Sequence, residues 1–247
     1  DGAFKIPQTV SNIKSFVNIH YGSYHGILIS GMEGNYFYEG DKLRLQNFYV
    51  TSPMADMILD GTFDKNTGAL DFVVQGQDIS LKRFKSQFPE DYYAEGHGTF
   101  EGVLQGTVDT PHFDGKFISP ELNLNGIDLT DVHGQVEVIG SQVIFNDFRF
   151  NQGDGNVKMD LNFNSVTKIV HGKLSLKNAD IPALMTLANK KTLPITGKLN
   201  SEVDLTGSLK EIFFTITGDI PQGTIGGHDI HDVALEITAD DIIHFNK

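Results

Sequence analysis

Along most of this chain, apolar and polar positions trade places with a period of two. Leu43 and Leu45 alternate with Lys42 and Arg44, and Met57, Leu59 and Phe63 with Asp56 and Asp60. Leu70, Phe72 and Val74 follow the turn sequence DKNTG, whose Asn66 and Gly68 suit positive backbone angles. The same alternation runs through Leu122 and Leu124, Val136 and Val138, Val143 and Phe145, and Val157, Met159, Leu161 and Phe163. It continues through Val203 and Leu205, then Phe214 and Ile216. Period two is the mark of strands with one buried face, and Gly, Asn and Asp separate the segments as turns do. The expected fold class is all-β, an elongated sheet whose apolar stripe these residues form.

The pattern also repeats with a period of about one hundred residues. Gly34, Gly40 and Phe48 answer to Gly134, Gly140 and Phe148, and Met57, Leu59 and Phe63 to Val157, Met159 and Phe163. Leu70 and Val74 answer to Val170 and Leu174, and Gly106 to Gly207 after a slip of one residue. A further copy begins at Asp232-Val233. Keeping side-chain parity between copies matters because a one-residue slip would turn the apolar face outward. The expected organisation is one continuous β structure: 1–33 as the tail of a preceding repeat, 34–133 and 134–233 as two units, and 234–247 as the start of a third. The start carries no Met and HFNK lies in a strand pattern, so a fragment of a longer protein is expected.

Two segments at matching places break the alternation: DISLKRFKSQFPEDYY from Asp78 and NADIPALMTLANKKTLP from Asn178. In the second, Asp180 suits an N-cap, Pro182 a first turn, and Leu184, Leu187 and Ala188 share one face. Each reads as a short helix ending before a proline, Pro89 or Pro194, so one helix per repeat is expected.

Composition narrows the picture. The net charge is −13, which argues against nucleic acid as a partner. No apolar run approaches the roughly 20 residues of a spanning helix, and no signal peptide opens the chain. There is no Cys, so disulfides and thiolate metal sites are excluded.

Candidate chemistry is thin. His228 and His231, beside Asp229 and Asp232, are spaced to fall on opposite faces of a strand, and read as an exposed segment after a Gly-Gly turn. NQGDGNVKMD reads as a turn, since its counterpart TSPMADMILD lacks the glycines. No HExxH, GxSxG or phosphate-binding loop is present, and nothing nominates a pair of acids for glycoside hydrolysis. No enzyme, cofactor or metal is expected. The stripe itself remains: it fills a core if the sheet closes on itself and lines a trough if it does not, and alternation alone does not choose.

One stretch points further. A strand pair ends in Gly106-Thr107, with Pro111 and Gly115 a few residues on, then a DVHG turn from Asp131 to Gly134. A strand from Gly140 to Val143, Asp147-Phe148, and a Gly-rich turn into a long alternating strand complete the series. The series resembles the C-terminal repeat region of the TamB and AsmA-like family, and the second copy keeps most of it, without a proline matching Pro111. The resemblance implies a long curved sheet, a "β-taco", with an apolar groove shielding phospholipid acyl chains. It implies a periplasmic, cell-envelope protein anchored in the inner membrane. The implied work is phospholipid transport between membranes and outer-membrane assembly, with a TamA-like outer-membrane barrel as a possible partner. On that reading the groove is lined by Leu43, Leu45, Met57, Leu59, Phe63, Leu70, Phe72, Val74, Leu122, Leu124, Val136, Val138, Val143, Phe145, Val157, Met159, Leu161, Phe163, Val203, Leu205, Phe214 and Ile216. A structural or adhesive β-solenoid with a closed core, or a polymer-binding β domain, stands as the alternative.

Overall fold

The computed structural model describes residues 12–24, 27–52, 55–83, 93–187, 194–208, 211–239 and 243–245. The expected all-β fold is, among the described residues, a single antiparallel sheet of fifteen strands in sequence order, each hydrogen-bonded to the next. The strands are β1 (Asn12–Tyr24), β2 (Ile27–Glu39), β3 (Lys42–Thr51), β4 (Asp56–Asp64), β5 (Ala69–Ser80), β6 (Ala94–Thr107), β7 (Pro111–Leu124) and β8 (Ile127–Ile139). They continue with β9 (Gln142–Gln152), β10 (Gly155–Asn164), β11 (Ile169–Asp180), β12 (Ile195–Ser208), β13 (Glu211–Ile225), β14 (His228–Ala239) and β15 (Ile243–Phe245). Strand order never doubles back, and β1 and β15 do not pair, so the sheet is not closed.

The hundred-residue period is carried by copied backbone devices. The β2–β3 turn places Gly40 at φ 58° and the β8–β9 turn places Gly140 at φ 57°. The Asp64 carboxylate accepts the amides of Asn66 and Thr67, and the Asn164 side-chain carbonyl accepts those of Val166 and Thr167. Hairpins β1–β2, β7–β8 and β13–β14 close on Tyr24↔Ile27, Leu124↔Ile127 and Ile225↔His228.

The apolar positions change parity part-way along several strands, as between Leu45 and Phe48, which without a backbone irregularity would split them between the two faces. The chain corrects itself with Asn and Asp in the left-handed region. Asn47, Asp78, Asp131, Asp147, Asn178 and Asp232 all have φ between 45° and 54°. These residues tolerate that conformation because a short polar side chain can bond locally. Each follows another exposed residue and precedes a return to the covered face, as in Leu45, Gln46, Asn47, Phe48 and in Phe145, Asn146, Asp147, Phe148. At four of these sites two residues oppose one across the ladder, which defines a β-bulge. The opposing side chain caps the bulge: Asp60 accepts the Asn47 amide at 2.8 Å, Asp160 the Asp147 amide at 2.7 Å, and Asn200 the Asn178 amide at 2.9 Å.

The one α-helix among the described residues, α1 (Ile181–Leu187), follows β11 directly. Asp180 caps it as the sequence predicts, its carboxylate accepting the Ala183 amide at 3.1 Å. At the matching place in the first unit, Asp78 to Ser80 belong to β5 and 81–83 form one 3₁₀ turn. The rest of that predicted helix, with Pro89, lies outside the described residues, as does Ala188.

Candidate functional site

Cross-strand partners share a face, so the strand registers trace rows of side chains running across the strands. One row passes Met32, Val50, Met57, Gly76, Phe100, Phe117 and Gly134 from β2 to β8. It resumes after a bulge at Phe148 and continues through Met159, Leu174, Val203, Ile216 and Ile237 to β14. A second row, Phe48, Leu59, Val74, Gly102, Gly115, Val136, Phe145, Leu161, Gly172, Leu205 and Phe214, crosses from β3 to β13. A third holds Tyr36, Leu45, Gly61, Phe72, Leu104, Phe113, Val138, Val143, Phe163, Val170 and Gly207. None of the three contains a charged residue. At about 4.8 Å per strand, the longest covers roughly 55 Å.

Large and small residues trade places between the copies along these rows. Gly61 faces Phe72 in the first unit, and Leu161 faces Gly172 in the second. Gly76, Phe100 and Phe117 are replaced by Leu176, Ser201 and Gly218. A methyl group on Gly76 would strike the Phe100 ring, and one on Gly134 the Phe148 ring. The face is therefore packed by cross-strand complementarity of volume. Phe117 stacks on Phe148 at 6.2 Å between centroids, and Phe145 meets Phe148 edge-on at 5.6 Å.

Every predicted lining residue falls on this face. Phe72, Val74, Leu122 and Val157 are buried and the others half-buried. Leu122 and Leu124 reach it because Ser119 is buried, Pro120 and Glu121 are exposed, and Leu122 is buried again. Alternation alone misses Phe48, Phe148, Val132 and Ala179. The signal that would find them is an apolar residue, any residue, Asn or Asp, then an apolar residue.

Cover is uneven along the strands. On the side where α1 and the 3₁₀ turn lie, Val132 is 1 %, Ala179 0 % and Val157 2 % exposed. Ile181 and Leu184 pack on the cluster of Val157, Leu176, Ala179, Leu199 and Ile220. Leu187 reaches Leu122, Leu129 and Val132 in β7 and β8, where Leu81 also packs. The opposite side carries the tight turns at 40–41, 65–68, 108–110, 140–141 and 165–168; there Phe72 and Val170 are buried and Leu43, Phe63, Leu70, Val138 and Phe163 are half-buried. The two described elements outside the sheet both sit on the helix side.

The other face is mixed: exposed Tyr49, Val73, Val103, Ile118 and Phe213 lie on it among ion pairs. Lys158 pairs with Asp147 at 3.2 Å and Asp160 at 3.7 Å, Arg149 with Asp147 at 2.8 Å, and Lys173 with Asp204 at 3.2 Å. Arg149 and then Lys158 hold the Asp147 carboxyl below its ordinary range. These pairs are exposed, so they contribute solubility more than stability. At the turn side, the Tyr38 hydroxyl and Asp41 raise the Lys65 ammonium, and the Thr67 amide lowers Asp64. At the helix side, Tyr93 and then Lys82 lower Glu95.

Candidate chemistry stays thin. His97 Nδ1 lies 2.6 Å from Asp78 Oδ1 at an exposed bulge, but the nearby Ser119 hydroxyl is directed at the His97 backbone carbonyl, 2.6 Å away. Among the described residues no three His, Asp or Glu side chains group as metal ligands. His228 and His231 are exposed on β14, after the Gly226-Gly227 turn, and NQGDGNVKMD turns at Gly153 and Asp154 as expected. No protein family, characterised protein or solved structure matches this chain.

Proposed function

We propose that this chain is a segment of a cell-envelope protein whose apolar sheet face shields phospholipid acyl chains on their way between membranes, with a binding and not a catalytic role. The single observation that carries the reading is the set of uncharged rows crossing about a dozen strands of an unclosed sheet. Burying a methylene is worth about 0.8 kcal/mol wherever it lies on such a surface, so chains are held without a local trap. A row of roughly 55 Å exceeds the half-thickness of a bilayer's hydrocarbon core, about 15 Å, and has room for several lipids in file. Curvature of the sheet into a trough would bring the rows together around the chains. The resemblance to the TamB and AsmA-like family adds the periplasmic setting, an inner-membrane anchor and a TamA-like barrel partner to the proposal.

The test is extraction of the purified protein with organic solvent and mass spectrometry of the extract. Phospholipid in the wild type, reduced in a folded Leu161→Asp variant, is the expected result. Equal recovery from both, or none from either, would overturn the reading in favour of a structural sheet.

A further inference from the structure

The two sides of the apolar face differ in cover, and the difference assigns a location and an orientation to the ligand. On the helix side, Val132, Ala179, Leu199 and Ile220 are buried under or beside α1 and leave no surface for a chain. On the turn side, Leu43, Phe63, Leu70, Val138 and Phe163 stay half-exposed around the buried Phe72 and Val170. Two lysines stand at that rim with their ammonium groups over rings of the same face: Lys65 is 5.8 Å from the Tyr38 ring and Lys168 is 5.9 Å from the Phe163 ring. They belong to equivalent turns of the two units. Lys65 is partnered by Asp41 at 3.5 Å, whereas among the described residues no carboxylate pairs with Lys168. Lys168 also holds φ 61° where the first unit has Gly68 at φ 70°. A lysine disfavoured by its backbone, with an apolar stem beside an aromatic ring and a free ammonium at the water boundary, is placed as an amphiphile's head group requires.

We propose that phospholipid occupies only the turn-side rows, its chains against residues such as Phe63 and Phe163 and its phosphate at Lys168, while the helix side is permanent core. This rests on the acyl-chain reading above. Charge complementarity selects the head group, since the rim ammonium meets a phosphate and the apolar rows behind it carry no charge to repel the chains. Entry is from the turn side, because α1 and Leu81 cover the other side where they pack on β7, β8, β11 and β12.

Photo-crosslinking tests this on the full chain. A benzophenone side chain replaces Phe63, Phe163, Leu129 or Leu199 in turn, and each protein is irradiated with radiolabelled phosphatidylglycerol vesicles. Label is expected at Phe63 and Phe163 and not at Leu129 or Leu199, with folding of each protein checked by circular dichroism. In the Phe163 protein, Lys168→Glu should reduce labelling about threefold, while Lys158→Glu on the opposite face leaves it unchanged. Equal labelling on both sides overturns the assignment of the turn side, although the acyl-chain reading survives. Labelling that ignores Lys168→Glu overturns the head-group position. No label at any position overturns both readings together. Inorganic phosphate at millimolar concentration should not suppress labelling; if it does, Lys168 binds a free anion and the phospholipid assignment fails.

Discussion

Two residues of one strand provide the sharpest check on the difference between the sides. Val157 and Leu161 both lie on β10 and both face the apolar rows, but Val157 is 2 % exposed inside the helix-side cluster and Leu161 is half-buried toward the turns. In Val157→Asp, the lost isopropyl group forfeits about 2 kcal/mol of transfer free energy. A carboxyl group enclosed there without a partner costs roughly 3 kcal/mol more. The sum, about 5 kcal/mol, is a large part of the 5–15 kcal/mol that stabilises a typical domain. In Leu161→Asp the carboxylate turns to water, so only half-buried contact is lost, about 1–2 kcal/mol. The difference of about 3 kcal/mol should separate the urea midpoints by about 1 M, with Val157→Asp the weaker. Urea titration followed by circular dichroism measures it. Losses within about 1 kcal/mol of each other would refute the reasoning, because the turn side would then be packed as tightly as the helix side.

The repeat supplies an internal control for a pH prediction. Asp64 is held below its ordinary pKa chiefly by the Thr67 amide, so its contribution to the turn is complete above about pH 4 and is lost as pH falls through the lower folded value. Protection factors from NMR amide exchange, referred to the intrinsic rate at each pH, should therefore fall at Asn66 and Thr67 in acid while those of Val166 and Thr167, held by the uncharged Asn164, do not change through that carbonyl. Lys168→Gly should stabilise the protein by about 0.5–1 kcal/mol in thermal melts by removing a left-handed lysine, and a loss of stability would show that the Phe163 contact outweighs the strain. Gly61→Val should cost about 3 kcal/mol, because the new side chain meets the Asp71 carbonyl and stands 2.6 Å from the Phe72 Cα, forcing β4 from β5; an unchanged melting temperature would refute that pairing.

Much of this fold is legible in the sequence because the forces that specify strands are local. Alternation of Met57, Leu59 and Phe63 assigns both the element and its buried face, and the period of Gly40 with Gly140 announces the copies. The capped helix at Asp180 is equally local, since the cap, the proline and the apolar spacing lie within one turn. What the linear pattern does not carry is the way the face stays continuous past each bulge. Leu45 and Phe48 differ by three positions and still share a side, because Asn47 adopts a left-handed conformation that Asp60 satisfies from the next strand. Nor does it carry the trade of Gly61–Phe72 for Leu161–Gly172, which makes sense only across a ladder. The division of the face is tertiary as well. Val157 and Leu161 have the same parity in the same strand, and it is the passage of α1 from β11 toward β8 that buries one end of the face and leaves the other at the turns open to water. Sequence determines which residues face a common side because side-chain direction follows from backbone period; only the packed structure decides what covers that side, because cover comes from elements distant along the chain.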